Sequence, residues 1–554
     1  MNLPQLARIG AILSTGALIL WLQMSTRFHG IPVDSGLPGQ ELAERHCQSC
    51  HALPAPAQLP NTSWPFVIRW MGVYLGHERD SMVFRQLIDF EQKPPSPQVH
   101  SREMSRIGQY FIRNAPSQND FSQPRPPSPL LESLTARPLT EAAPPGAFVN
   151  LLHIDEERGH LYVGTAHDRV LRVLDQDGKP LLEIQLSRFP FDVDPHEQGF
   201  LLTTTGDFVT DQHHSEIVDY TFEDDEWNGL RRRSLAIGLN RTVETHPVDL
   251  DADERQDLVV VSPGFGFGRG FGKVSVLWAT AAFEERFASA GERFNLAHGP
   301  LLPEAFEEQV LLDRGGGQVA RIADLNEDGH LDVVVLATLG KNELIAYLGR
   351  GNRTFETHVI EERHAGWGYS DLAIEDINRD GHLDLIVVNG KEPALRIPPP
   401  RPYHGLRILL GDGALGFREA RHLPVYGATS VVVDDLDNDG DFDLAVSAFY
   451  PDWSSQWPET FQLLENQGDL QFEASRLRGQ DWGRWSRITG GDLDGDGRPE
   501  LVLGSGTLPA LGNQPRTWKL WWTRAALGPG IVTLEPTPGS NTLTGDVEAP
   551  RVNP

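Results

Sequence analysis

A chain of 554 residues with a formal net charge of −29 is too long for one ordinary domain, and its acidity excludes a phosphate-binding surface. No nucleic-acid partner is expected, and a hydrophobic content of 39% suffices for a core made of several small sheets. The chain opens on Met1 to Arg8, a short charged region, and continues with an apolar run from Ile9 to Met24. At about 16 residues that run falls between a secretory signal and the ~20 residues that span a bilayer. Residues 1–26 are therefore expected to be a retained membrane anchor, with a cleaved signal as the alternative. The remainder of the chain is expected to be exported, to the periplasm or the outer face of the membrane.

Next comes Cys47-Gln-Ser-Cys50-His51, which holds the only two cysteines of the chain. Cys-x-x-Cys-His is the attachment pattern of one covalent haem c: two thiols form thioethers, and the adjacent histidine ligates iron. A thioredoxin-like pair would need a βαβ setting, whereas this stretch is helical and punctuated by proline. A zinc site would want four ligands, and no second Cys/His pair lies near. Helices are expected over Gln40–His46, from Ser63-Trp64 through Gly72, and over Ser101–Arg113, ending before Pro116. Residues 36–116 resemble a small all-α monohaem cytochrome c domain. For the sixth iron ligand Met71 ranks first, since the Trp64…Met71-Gly72 stretch looks like the corresponding helix of short cytochromes. Met82 ranks second, ahead of Met104, His77 and His100.

Residues 117–147 are rich in proline and read as a stiff linker, not a folded element. Beyond them the chain repeats itself. Asp435-Leu-Asp437-Asn-Asp439-Gly440-Asp-Phe-Asp443 places carboxylates at positions one, three, five and nine and glycine at six. Alternate side chains of such a turn point inward at a hard cation, with the carbonyl of position seven filling the gap. The pattern recurs as Asp324, Asn326, Asp328, Asp332, as Asp376, Asn378, Asp380, Asp384, and as Asp492, Asp494, Asp496, Glu500. The earliest copy, Asp249, Asp251, Asp253, Asp257, has Glu254 where glycine should be. An apolar β-rich run succeeds each loop, so it joins strands, not EF-hand helices. Two weaker echoes, at 153–162 and 192–201, complete seven repeats, and blades without ions are expected there.

These loops resemble the FG-GAP/VCBS repeat family, which implies an all-β propeller, seven-bladed, over residues 148–528 and up to five structural calcium ions. Residues 529–554 read as a disordered tail. The segments leading into the first strand of each blade, among them Thr245-His246, Trp367-Gly-Tyr369, Tyr426-Gly427 and Trp482-Gly-Arg484-Trp485, converge on the face away from the Asp loops. They form either a docking mouth or aromatic packing between blades. Three functions fit these residues. The first is an exported electron carrier that meets a redox partner protein or small donor, its propeller serving as docking platform. The second is an oxidoreductase passing electrons from substrate at the propeller mouth to haem, for which no catalytic set stands out. The third is an adhesion or interaction protein.

Overall fold

The computed structural model describes residues 32–48, 53–77, 96–117, 126–139, 143, 147–206, 214–222, 229–264, 272–281, 305–338, 341–364, 367–390, 401–452, 455, 457–477, 484–506 and 531–536. The chain divides into two compact units, Met1–Phe121 and Ser122–Pro554.

Among its described residues the N-terminal unit holds three α-helices, α1 (Gly39–Cys47), α2 (Trp64–Tyr74) and α3 (Ser101–Asn114). Pro65 sits in the first turn of α2, where its missing N–H costs nothing. His100 caps α3: its ring accepts from the Arg102 amide at 3.2 Å, while the Glu103 carboxylate accepts from the His100 amide at 3.2 Å. The helix stops at Ala115, as the next residue, a proline, demands. α1 lies tight on α3 because Gly39 has no Cβ; one there would stand 2.3 Å from the Arg106 carbonyl oxygen. Trp64 stacks on Phe111 at 4.2 Å, and Leu42 and Ile107 are fully buried. The expected helices are present, but their packing alone does not assign the unit to the cytochromes.

The second unit is a seven-bladed β-propeller. Its described strands form seven four-stranded antiparallel sheets, and six of them are consecutive meanders spanning 149–185, 189–239, 244–312, 317–364, 369–423 and 428–476. The second strand of each Asp-loop blade, for example Asp443–Ala448, is buried along its whole length, as an apolar run packed on both faces must be. The core is not central. It consists of seven clusters, each filling the gap between two neighbouring blades, such as Val259 and Val276 against Val333 and Val335 between blades 3 and 4.

The seventh blade closes the ring in a way the linker reading missed. Its inner strands are Trp485–Gly491 and Glu500–Ser505, and its third is Ile531–Pro536. Its outermost strand is Leu134–Pro138, paired antiparallel from Leu134↔Pro536 to Pro138↔Val532. One stretch read as linker and one read as tail therefore each supply a strand. In the echo at 192–201, Asp192 and Asp194 lie within an inner strand, Phe189–His196, and not in a loop.

Candidate cation-binding loops

In blades 3 to 7 the nine-residue Asp loop connects the innermost strand to the second, so all five loops lie at the same end of the propeller. Their backbones agree closely. Position four is left-handed in each: Ala252, Glu327, Arg379, Asn438 and Gly495 have φ of 58°, 57°, 57°, 61° and 76°. Position six is left-handed as well, at 84°, 93°, 99° and 84° for Gly329, Gly381, Gly440 and Gly497. A Cβ at these four glycines would meet nothing within 4 Å, so backbone torsion and not space selects the residue. Glu254 adopts the same region with φ 69°.

Position one organises the turn. Asp435 accepts the amides of Asp439 and Gly440 at 3.1 and 3.0 Å, and Asp324, Asp376 and Asp249 do the same for their own fifth and sixth residues. In blade 7 Asp492 accepts from Gly495 and Gly497. Position five accepts the amide of position seven in every loop, as Asp439 does from Asp441 at 2.8 Å. His330 and His382 occupy position seven, and the latter's ring meets Glu327 of the adjacent loop at 2.5 Å.

Position nine has a second task. Asp257, Asp332, Asp384 and Asp443 have no exposed surface and Glu500 has 8%. Asp443 accepts from the Leu436 amide of its own loop at 3.1 Å and from the Asn466 amide of the third strand at 2.8 Å. Burial pushes its carboxyl up to about 7, and those of Asp257 and Asp384 to about 6. Glu500 is likewise pushed up to about 7. Buried carboxylates gathered at this density repel one another and favour a cation among them.

Carboxylate oxygens of Asp249, Asp251 and Asp257, of Asp435, Asp437 and Asp443, and of Asp492, Asp494 and Glu500 come within 4.8 Å of one another. These are positions one, three and nine. In blades 4 and 5 position three is Asn326 or Asn378, whose amide oxygen replaces a carboxylate, and each donates instead to the position-five aspartate at 3.1 and 2.9 Å. The donor sets are all oxygen, as a calcium site requires.

The N-terminal candidates are only partly placed. Cys47 is the last residue of α1 and is half-buried, while Cys50, His51 and Met82 lie outside the described residues. Met71 is half-buried on α2, and the Met104 Cε lies 3.4 Å from where a Cβ on Gly72 would be. His77 meets the Val99 carbonyl at 2.7 Å and His100 is a helix cap, so both have structural work. At the far face Tyr369 and Trp485 are fully buried in blade interfaces, and Trp367 stacks on Tyr403 of its own blade at 4.4 Å. Trp482 lies outside the described residues.

Residues 324–387 match the FG-GAP-like repeat. Integrin alpha-IIb of Mus musculus is 28% identical over 155 residues, 25% of this chain and 14% of that protein. The Homo sapiens protein is 26% identical over 188 residues, 31% and 16% of the two chains. The chain thus spans under a fifth of the length of these curated relatives. Among solved structures, the Neurospora crassa Pan2 WD40 domain is similar with a TM-score of 0.41 and 9% identity, over 74% of this chain and 98% of that one. Among the described residues no helix is long and apolar enough to cross a membrane. The chain carries FG-GAP-like repeat sequence within a seven-bladed β-propeller.

Proposed function

We propose that the chain is an exported interaction protein whose propeller is stiffened by calcium in its Asp loops and presents the opposite face to a protein partner. The observation that carries this reading is the shared loop geometry, in which buried position-nine carboxylates meet those of positions one and three at one end of the ring. Asp324, Asn326, Asp328 and Asp332, with their counterparts in blades 5 to 7, would hold the ion with the carbonyl of position seven. Likeness to part of an integrin alpha chain supports an adhesion or interaction role outside the cell. Antiparallel sheets put the connection after each second strand at the end away from the Asp loops, and there the connections lengthen, as between Ala448 and Phe461. Trp457, 49% exposed in that connection, is an aromatic anchor of the kind that dominates protein interfaces. Crosslinking on cells in calcium, and then reconstitution with the purified partner, tests it. Chelation should abolish the complex, and Trp457→Ala should weaken it by about tenfold. A protein loaded with calcium that captures no partner in reconstitution sinks the proposal.

A second reading is favoured by one specific feature, the sequence Cys47-x-x-Cys50-His51, whose first residue ends α1. In it the N-terminal unit carries a covalent haem c through Cys47 and Cys50, with His51 as proximal ligand and Met71, or Met82, as the sixth. The propeller then docks a redox partner. An absorbance spectrum of exported, matured protein and the intact mass decide this: unmodified thiols would end the haem reading and leave the interaction reading untouched.

A further inference from the structure

We infer that in blade 3 two arginine side chains stand where the neighbouring loops take a divalent cation, so that this loop is held closed without an ion. The inference rests on the calcium reading above. The blade-3 loop shares the hydrogen bonds of its neighbours: Asp249 accepts from Asp253 and Glu254 at 3.1 and 2.9 Å, and buried Asp257 accepts from Leu250 and Ala279 at 3.2 and 2.8 Å. What differs is its filling. Arg353 reaches over from blade 4, placing Nε 2.5 Å from Asp251 Oδ2 and Nη2 3.0 Å from Asp253 Oδ2. The Arg255 guanidinium closes on Asp253 from within the loop. Two guanidinium charges equal that of one divalent cation, and a planar fork suits two carboxylates better than a point charge does. The Arg353 guanidinium also lies over the Trp278 ring at 5.2 Å, so blade 3 holds it on an apolar side as well.

The repeats of the chain supply the comparison. Arg353 sits in the turn between the third and fourth strands of blade 4, two residues before Phe355, with φ 60°. The same turn in blades 5 and 6 has Leu415 and Leu470, each two residues before a phenylalanine, with φ 68° and 56°. Those leucines pack in the blade interfaces that contain Leu325 and Ile377, the second residues of the neighbouring Asp loops. In blades 5 and 6 this slot therefore packs an apolar side chain beside the loop of the preceding blade. It carries an arginine where it faces the one loop that lacks glycine at position six. The buried Asp251 Oδ1 makes no hydrogen bond, which leaves it available to an ion once Arg353 is removed.

The test is calcium content per chain after stripping and reloading the full-length protein. Asp435→Asn should lower it by one ion, whereas Asp249→Asn should leave it unchanged. Arg353→Leu, which installs the residue of blades 5 and 6, should raise it by one, and adding Asp249→Asn to that variant should remove the gain. Arg353→Gln serves in the same way if the leucine variant does not fold, folding being checked by circular dichroism. A loss of calcium on Asp249→Asn in the native background, or no gain in a folded Arg353 variant, overturns the inference alone. If Asp435→Asn also loses nothing, the calcium reading falls and takes this inference with it.

Discussion

A single aspartate at position nine shows how much one residue of the loop does. Asp443 looks in the sequence like one more cation ligand, yet it joins its loop to the third strand by accepting the half-buried Leu436 amide of the loop and the buried Asn466 amide of the strand. Removing the carboxylate leaves the buried Asn466 donor without an acceptor, at ~1–3 kcal/mol, and the half-buried Leu436 donor at about 1 kcal/mol more. Asp443→Ala should therefore lower stability by about 2–4 kcal/mol in chelator as well as in calcium. Asp437→Ala, which removes only an acceptor of the exposed Asp439 amide, should cost stability chiefly when calcium is present. Urea unfolding of both variants with and without chelator checks this, and equal behaviour of the two would refute the distinction. The spacing of carboxylates and the glycine at six were readable because cation geometry imposes them on residue type. The left-handed backbone at position four was not, since Ala252, Glu327 and Arg379 bear no mark of it. The amides gathered by the position-one aspartate offset the ~1–2 kcal/mol such a torsion costs.

At the scale of elements, what could be read depended on whether a strand announces itself. Runs such as Asp332-Val-Val-Val-Leu-Ala337 are buried on both faces and read plainly as strands. Leu134-Thr-Ala-Arg-Pro138 is short, ends in proline and has no fully buried residue, so it reads as linker. Proline is tolerated there because the strand is outermost and needs no second ladder. Its pairing with Ile531–Pro536 ties the two ends of the propeller sequence into one sheet, and the amides of Leu131 and Leu139 add bonds to the Arg476 and Ile531 carbonyls at 2.7 and 3.0 Å. A fragment beginning at residue 148, where sequence alone sets the boundary, should thus melt lower than one beginning at 122 by the equivalent of ~3 kcal/mol or more, and should self-associate along its bare edge. Equal melting temperatures of two monomeric fragments would show that the latch contributes nothing.

For the whole molecule the question is how seven separate sheets become one ring, and the answer lies partly in polar bonds between inner strands. Asp192 of blade 2 accepts the Thr245 amide of blade 3 at 2.8 Å, and Glu244 of blade 3 accepts the Ala320 amide of blade 4 at 2.8 Å. Arg321 continues to Asp371 at 3.2 Å, which in turn accepts from Ser430 and Val431 of blade 6 at 2.8 and 3.1 Å. Ser486 and Arg487 of blade 7 donate to the carbonyls of Val149 and Asn150, which joins the last blade to the first. These charges differ in their response to pH. Burial, with Glu244 nearby, pushes the Asp192 carboxyl up to about 7 against the pull of His246 and the Thr245 amide, and burial pushes Asp194 to about 6. The folded ring therefore keeps protons that the unfolded chain releases near pH 4, so this contribution is complete below about 4 and is lost as pH rises through about 7. Glu244 is also buried, but Arg321 and His246 hold it down to about 2, so its opposite contribution is lost only in strong acid. Between pH 8 and 5, at saturating calcium, the melting temperature should rise as pH falls. Asp192→Asn, which keeps an acceptor for Thr245 but cannot ionise, should flatten that rise. A variant that tracks the native protein across the whole range would place the proton elsewhere in the ring.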